Sequence, residues 1–105
     1  MENKVLIIRN AQTQLEGQIQ SAPLSPDEKH AILSSIKEVD VQLIVSLCDL
    51  ASPPLTKSNL AYIICFLAGI RVKWIALMFN VERATVYTSR FRLRAHFKSM
   101  DMSPF

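Results

Sequence analysis

Apolar residues recur at three- and four-residue intervals along most of the chain. That is the period of amphipathic helices, whereas strands alternate every second residue. Met1, Val5, Ile8, Gln12, Leu15 and Ile19 follow a 4-3-4-3-4 spacing and predict a helix over residues 2–20. The spacing is that of a coiled-coil seam with one polar position, Gln12. Two packings satisfy such a seam: a dimer-forming arm, or a helix folded onto its own domain. Gly17 weakens the helix modestly.

Ser25-Pro26-Asp27-Glu28 carries the next helix start. Serine caps, proline suits the first helical position, and Glu28 completes a capping box. Ile32, Ile36, Val39, Leu43, Leu47 and Leu50 then keep the helical period, so residues 26–51 are expected to be mostly helical. Asp40 is placed to cap a second helix within that stretch, and the Pro53-Pro54 pair closes it. Thr56 caps a helix that ends before Gly69, a residue suited to a left-handed stop. Leu60, Ile63, Ile64 and Leu67 form one apolar face of this helix and Tyr62, Cys65 and Phe66 another. Cover is therefore needed on both sides, and the N-terminal helices are the expected cover. Residues 72–79 form a short helix burying Ile75, Ala76 and Phe79, Asn80-Val81 turns the chain, and 83–98 form the last helix. Val86, Leu93 and Phe97 face inward there, which turns Ala84, Tyr87, Thr88, Phe91, Ala95 and Lys98 outward. The expected fold class is all-α.

Composition sharpens this. The chain has 105 residues, half of them apolar, and only two glycines. It contains no Asn-Gly or Asp-Gly hairpin turn, which argues against an all-β fold. The net charge of +3 hides an asymmetry: residues 1–54 sum to −3 and residues 55–105 to +6. A basic half suits a polyanionic partner.

Most site chemistry is missing. Cys48 and Cys65 sit in apolar runs and read as small hydrophobes. His30 and His96 stand alone, and no Cys/His pair has metal-ligand spacing. Neither a glycine-rich phosphate loop nor a serine with a base at motif spacing is present. No catalytic residue, metal or cofactor is expected, and the chain does not read as an enzyme. The apolar run at 61–70 is too short for the roughly 20 residues that span a bilayer. The first residues do not read as a leader, so a cytoplasmic protein with reduced thiols and no membrane contact is expected.

The stretch 55–97 reads LTKSNLAYIICFLAGIRVKWIALMFNVERATVYTSRFRLRAHF. It resembles the LuxR-type (GerE-like) DNA-binding domain, a four-helix helix-turn-helix module found at the C-terminus of bacterial regulators. The matching residues are Leu55-Thr56, Ala68-Gly69-Ile70, Lys73 with Ile75-Ala76, Thr85-Val86 and Arg92-Leu93-Arg94. The segment before it is similar to the tails of large Bacteroidetes-type sensor–regulators. Region 4 of sigma factors shares the same helical pattern.

The resemblance implies a helix-turn-helix domain over 55–105 and a transcriptional regulator of double-stranded DNA; residues 1–54 are then a helical arm or lead-in and, beside the last helix, a candidate dimerisation element. It further implies that residues 83–98 lie in the major groove. Tyr87, Thr88 and Phe91 would then meet base edges, and Lys73, Thr85 and Arg92 the backbone. Arg83, Arg94 and Lys98 add cations to that surface. A homodimer would engage two half-sites. The chain contains no readable receiver, ligand or kinase domain, so the input signal is expected from other domains of a larger regulator or from a partner.

The chain departs from the family pattern in several places. Arg71 and Glu82 stand where the family has helix-capping Ser or Thr, and Trp74 and Asn59 stand where it has glutamate. Tyr87 and Phe91 replace the family's lysine or histidine. These aromatics support an alternative: a helix-turn-helix-shaped protein-interaction module in which Trp74, Tyr87 and Phe91 grip a partner protein.

Overall fold

Side-chain caps set where four of the six helices begin. The computed structural model describes residues 3–51 and 54–97. Its helices are α1 (Lys4–Ser21), α2 (Pro26–Lys37), α3 (Val41–Leu50), α4 (Lys57–Leu67), α5 (Val72–Phe79) and α6 (Arg83–His96), with no strand among the described residues. Asn3 accepts from the Leu6 N–H at 3.1 Å, Asp40 from Leu43 at 3.1 Å and Thr56 from Asn59 at 3.1 Å. Ser25 and Glu28 form a reciprocal capping box, with bonds of 3.2 and 3.0 Å. Each bond satisfies a backbone donor that the first helical turn leaves open. Asp40 thus divides the expected 26–51 stretch into two helices.

The N-terminal helix is the core of the fold. α1 packs against α2, α3, α4 and α5. Ile8, Leu15 and Ile19 are fully buried and Gln12 is 6% exposed, while Val5 at the start of the seam reaches solvent. Met1 lies outside the described residues. The seam is therefore occupied by the chain's own helices, the second of the two packings that its spacing allows. Its spacing served an internal interface, and the residues that would pair with a second chain are covered. At its start, Lys4 forms an ion pair with Asp49 of α3.

The core continues across the boundary expected at residues 54 and 55. Ile8, Ile36 and Leu47 share one cluster with Ile63, Ile75 and Val86. α4 is buried on both faces, as expected, but its cover is shared. α1 approaches on one side, where Ile7 and Ala11 lie beside Leu60. On the other side the Phe79 ring of α5 meets Tyr62 edge-on at 4.7 Å. There the Arg90 guanidinium of α6 lies 5.7 Å from the centre of the Phe66 ring.

Candidate nucleic-acid interface

Two left-handed residues set the path from α4 to α6. Gly69 has φ +72°, and the N–H groups of Gly69 and Ile70 donate to the carbonyls of Phe66 and Cys65, both at 3.1 Å. This is a Schellman stop. The pattern repeats at Asn80, with φ 54° and ψ 48°, where Val81 N–H donates to Ala76 C=O at 3.0 Å. Asparagine is among the few residues besides glycine that tolerate this region. The second stop separates α5 from α6 by three residues. α5 and α6 are thus a short and a longer helix joined by a tight turn and packed on one another.

α6 packs on α4 and α5. Its inner face is Val86 and Leu93, continued by Phe97 just past its end, all three buried. Its outer face carries Ala84, Tyr87, Thr88, Phe91 and Ala95, all exposed. Tyr87 is 56% and Phe91 73% exposed, unusually high for aromatic side chains. Thr88 Oγ1 donates to the Ala84 carbonyl at 2.9 Å.

The cations are distributed around this stripe. At about 100° per residue, Arg83 and Arg94 fall on one side of it, and Arg92 with Thr85 on the other. All four are exposed, as is Lys73 on α5. Lys98 lies outside the described residues. Arg90 is not part of this outer set: it is half-buried over Phe66. No aspartate or glutamate occurs between Arg83 and Phe97. One carboxylate does stand at the head of α6. Glu82 occupies the N-cap and makes no side-chain cap bond, and Arg71 at the head of α5 makes none either.

Around α5, Trp74 is half-buried against the core, with the Arg71 guanidinium 5.5 Å from its ring centre. Tyr87 and Phe91, by contrast, are exposed. Lys73 lies near Glu28 of α2. The Glu28 carboxyl is held below the usual carboxylate range, chiefly by the Ser25 backbone N–H, then by the Ser25 hydroxyl, with Lys73 contributing less.

One grouping has no local sequence signal. Arg92 shares a cleft of about 320 Å³ with Thr56, Asn59, Ser89 and His96, where the head of α4 meets the second half of α6. Thr56 and His96 lie forty residues apart in the chain, so only the α4–α6 packing brings them together. The cleft extends the basic side of α6 toward the first turn of α4.

Burial pushes the Cys65 thiol up to about 12 and also raises that of half-buried Cys48. Neither is a poised nucleophile. Among the described residues no three His, Cys, Asp or Glu side chains gather in a metal-like group. None of the described helices is long and apolar enough to cross a membrane. No family model matches the chain, nor does any curated protein or solved structure.

Proposed function

We propose that this chain is a helix-turn-helix DNA-binding transcriptional regulator that lays α6 in the major groove. The observation that carries the reading is the outer surface of α6: an exposed stripe flanked on both sides by arginines. Phosphate chains border a major groove on both sides in the same way, and cations facing them gain affinity by releasing counterions. The LuxR-type resemblance of residues 55–97 points in the same direction. In this reading Tyr87, Thr88 and Phe91 face base edges. Lys73, Arg83, Thr85, Arg92, Arg94 and Lys98 meet or approach phosphates. Glu82 opposes the approach of a phosphate at the head of α6. A homodimer on two half-sites belongs to the same proposal. With the α1 seam buried, it calls on the last helix or another surface.

The test is alanine substitution of the exposed arginines Arg83 and Arg92, with binding to duplex DNA as the readout. Each loss should weaken binding to all sequences alike and lower the salt dependence by about one phosphate contact. Unchanged binding would remove the assigned role.

A second reading is favoured by one observation, the exposure of Tyr87 and Phe91. Aromatic side chains on an outer helix face are frequent anchors of protein interfaces. In that reading the chain is a protein-interaction module of a larger signalling regulator. Phe91→Ala would then abolish partner capture, and Arg83→Ala and Arg92→Ala would leave it intact.

A further inference from the structure

The outer stripe of α6 has an unusual chemistry for a base-reading surface. Ala84, Tyr87, Thr88, Phe91 and Ala95 include no Arg, Lys, Asn or Gln. Those four residue types make the bidentate or cationic contacts that select guanine or adenine in the major groove. Thr88 already donates its hydroxyl proton to the Ala84 carbonyl, so the donor it would offer a base is engaged, which leaves an acceptor oxygen and a methyl. The stripe therefore offers two methyl-bearing alanines, a threonine methyl, a phenyl ring and a phenol. The one apolar feature of the major groove that such groups can recognise is the C5-methyl of thymine.

Resting on the DNA-binding reading above, we propose that α6 reads thymine methyl groups, with Phe91 and Tyr87 as the principal contacts and the flanking arginines supplying sequence-independent affinity. The chain then selects A·T-rich major grooves through apolar contact, and no guanine-specific hydrogen bond is needed.

The test uses three non-self-complementary duplexes of about two helical turns: an A·T duplex, the same duplex with deoxyuridine at every thymidine, and a G·C duplex. Deoxyuridine keeps every hydrogen-bonding group of thymidine and removes only the methyl. Affinities are measured at low salt for the wild type and for Phe91→Ala. This side chain is 73% exposed, so its loss does not open the core. The expected order is A·T tightest, with removal of the methyls weakening binding roughly fourfold per contacted methyl. In Phe91→Ala the ratio of the affinities for the thymidine and deoxyuridine duplexes should shrink.

Equal affinity for the thymidine and deoxyuridine duplexes, or tighter binding of the G·C duplex, would overturn methyl reading while leaving DNA binding in place. A thymidine preference that persists undiminished in Phe91→Ala would overturn the assignment to this residue. Absence of binding to all three duplexes would overturn the underlying DNA-binding reading.

Discussion

Gln12 donates its side-chain amide to the backbone carbonyl of Ile36 at 3.0 Å. The bond joins the middle of α1 to the last turn of α2, where the Ile36 carbonyl also accepts from the Val39 N–H at 3.4 Å. The amide oxygen of Gln12 accepts from the Arg9 guanidinium at 3.2 Å. Both ends of the side chain are therefore engaged, which is what lets a polar group sit in an otherwise apolar seam. Replacing Gln12 by leucine keeps the bulk, removes both bonds and leaves the Ile36 carbonyl with its backbone partners alone. Gln12→Leu should lower stability by about 0.5–1.5 kcal/mol, measured by urea denaturation. A more stable variant would mean that the seam favours apolar continuity over this link.

The turn residues give a second expectation. A Cβ placed on Gly69 would meet no atom within 4 Å. The cost of Gly69→Ala is therefore conformational alone, about 1–2 kcal/mol for a left-handed backbone. At Asn80 the native residue already tolerates that region, so Asn80→Gly should stay within about 0.5 kcal/mol of the wild type. Asn80→Ala should lose about 1 kcal/mol. Thermal melts of the three variants check the order. Equal stability of Asn80→Ala and Asn80→Gly would contradict the role given to the second stop.

Glu82 separates folding from binding. Aspartate keeps its charge and is a better cap, so Glu82→Asp should gain up to about 1 kcal/mol with DNA affinity unchanged. Serine also caps but removes the charge. Its gain of about 1 kcal/mol is offset by the lost carboxylate–dipole attraction of about 0.3–1 kcal/mol. Glu82→Ser should therefore be near neutral in stability and bind duplex DNA several-fold more tightly at low salt. Unchanged affinity would show that Glu82 does not face the phosphates.

Two groups give the stability a pH dependence of known sign. Glu28 has a depressed pKa in the fold, so its contribution is present above its ordinary value and is lost as the pH falls through the folded value. In Glu28→Gln that acid-side loss should be smaller. Cys65 is the opposite case. Its thiol is raised by burial from 9.0 to about 12. Its contribution is full below the unfolded value and is lost as pH rises between about 9 and about 12. Stability measured across that range should fall further in the wild type than in Cys65→Ala, and a disulfide-exchange reagent should label Cys48 before Cys65 in the folded protein.

The helix starts were legible because caps are local. Ser25, Asp40 and Thr56 each lie three residues before the N–H they accept from, and Gly69 sits where the φ is positive. The inner and outer faces of α6 followed from its period for the same reason. The destination of the α1 seam was not legible, since a 4-3-4-3-4 spacing fits an internal groove as well as a second chain. Gln12 settles it only through Ile36, twenty-four residues away. Met78 is buried as well, a placement that the residues beside it in the chain do not announce. Arg90 owes its half-buried place to Phe66, twenty-four residues away, whose ring lies beneath its guanidinium. The cleft around Arg92 likewise exists only where α4 and α6 meet. Local chemistry is written in neighbouring residues, and these last features depend on residues that the fold brings together.

On the proposed function, the arginine-flanked face of α6 binds the DNA backbone. Titration of the chain with a duplex at two salt concentrations is the test. Binding is expected at low salt and should weaken steeply as salt rises, since each neutralised phosphate contributes close to one unit of log–log slope. Failure to bind at low salt, or binding that does not change with salt, would contradict it.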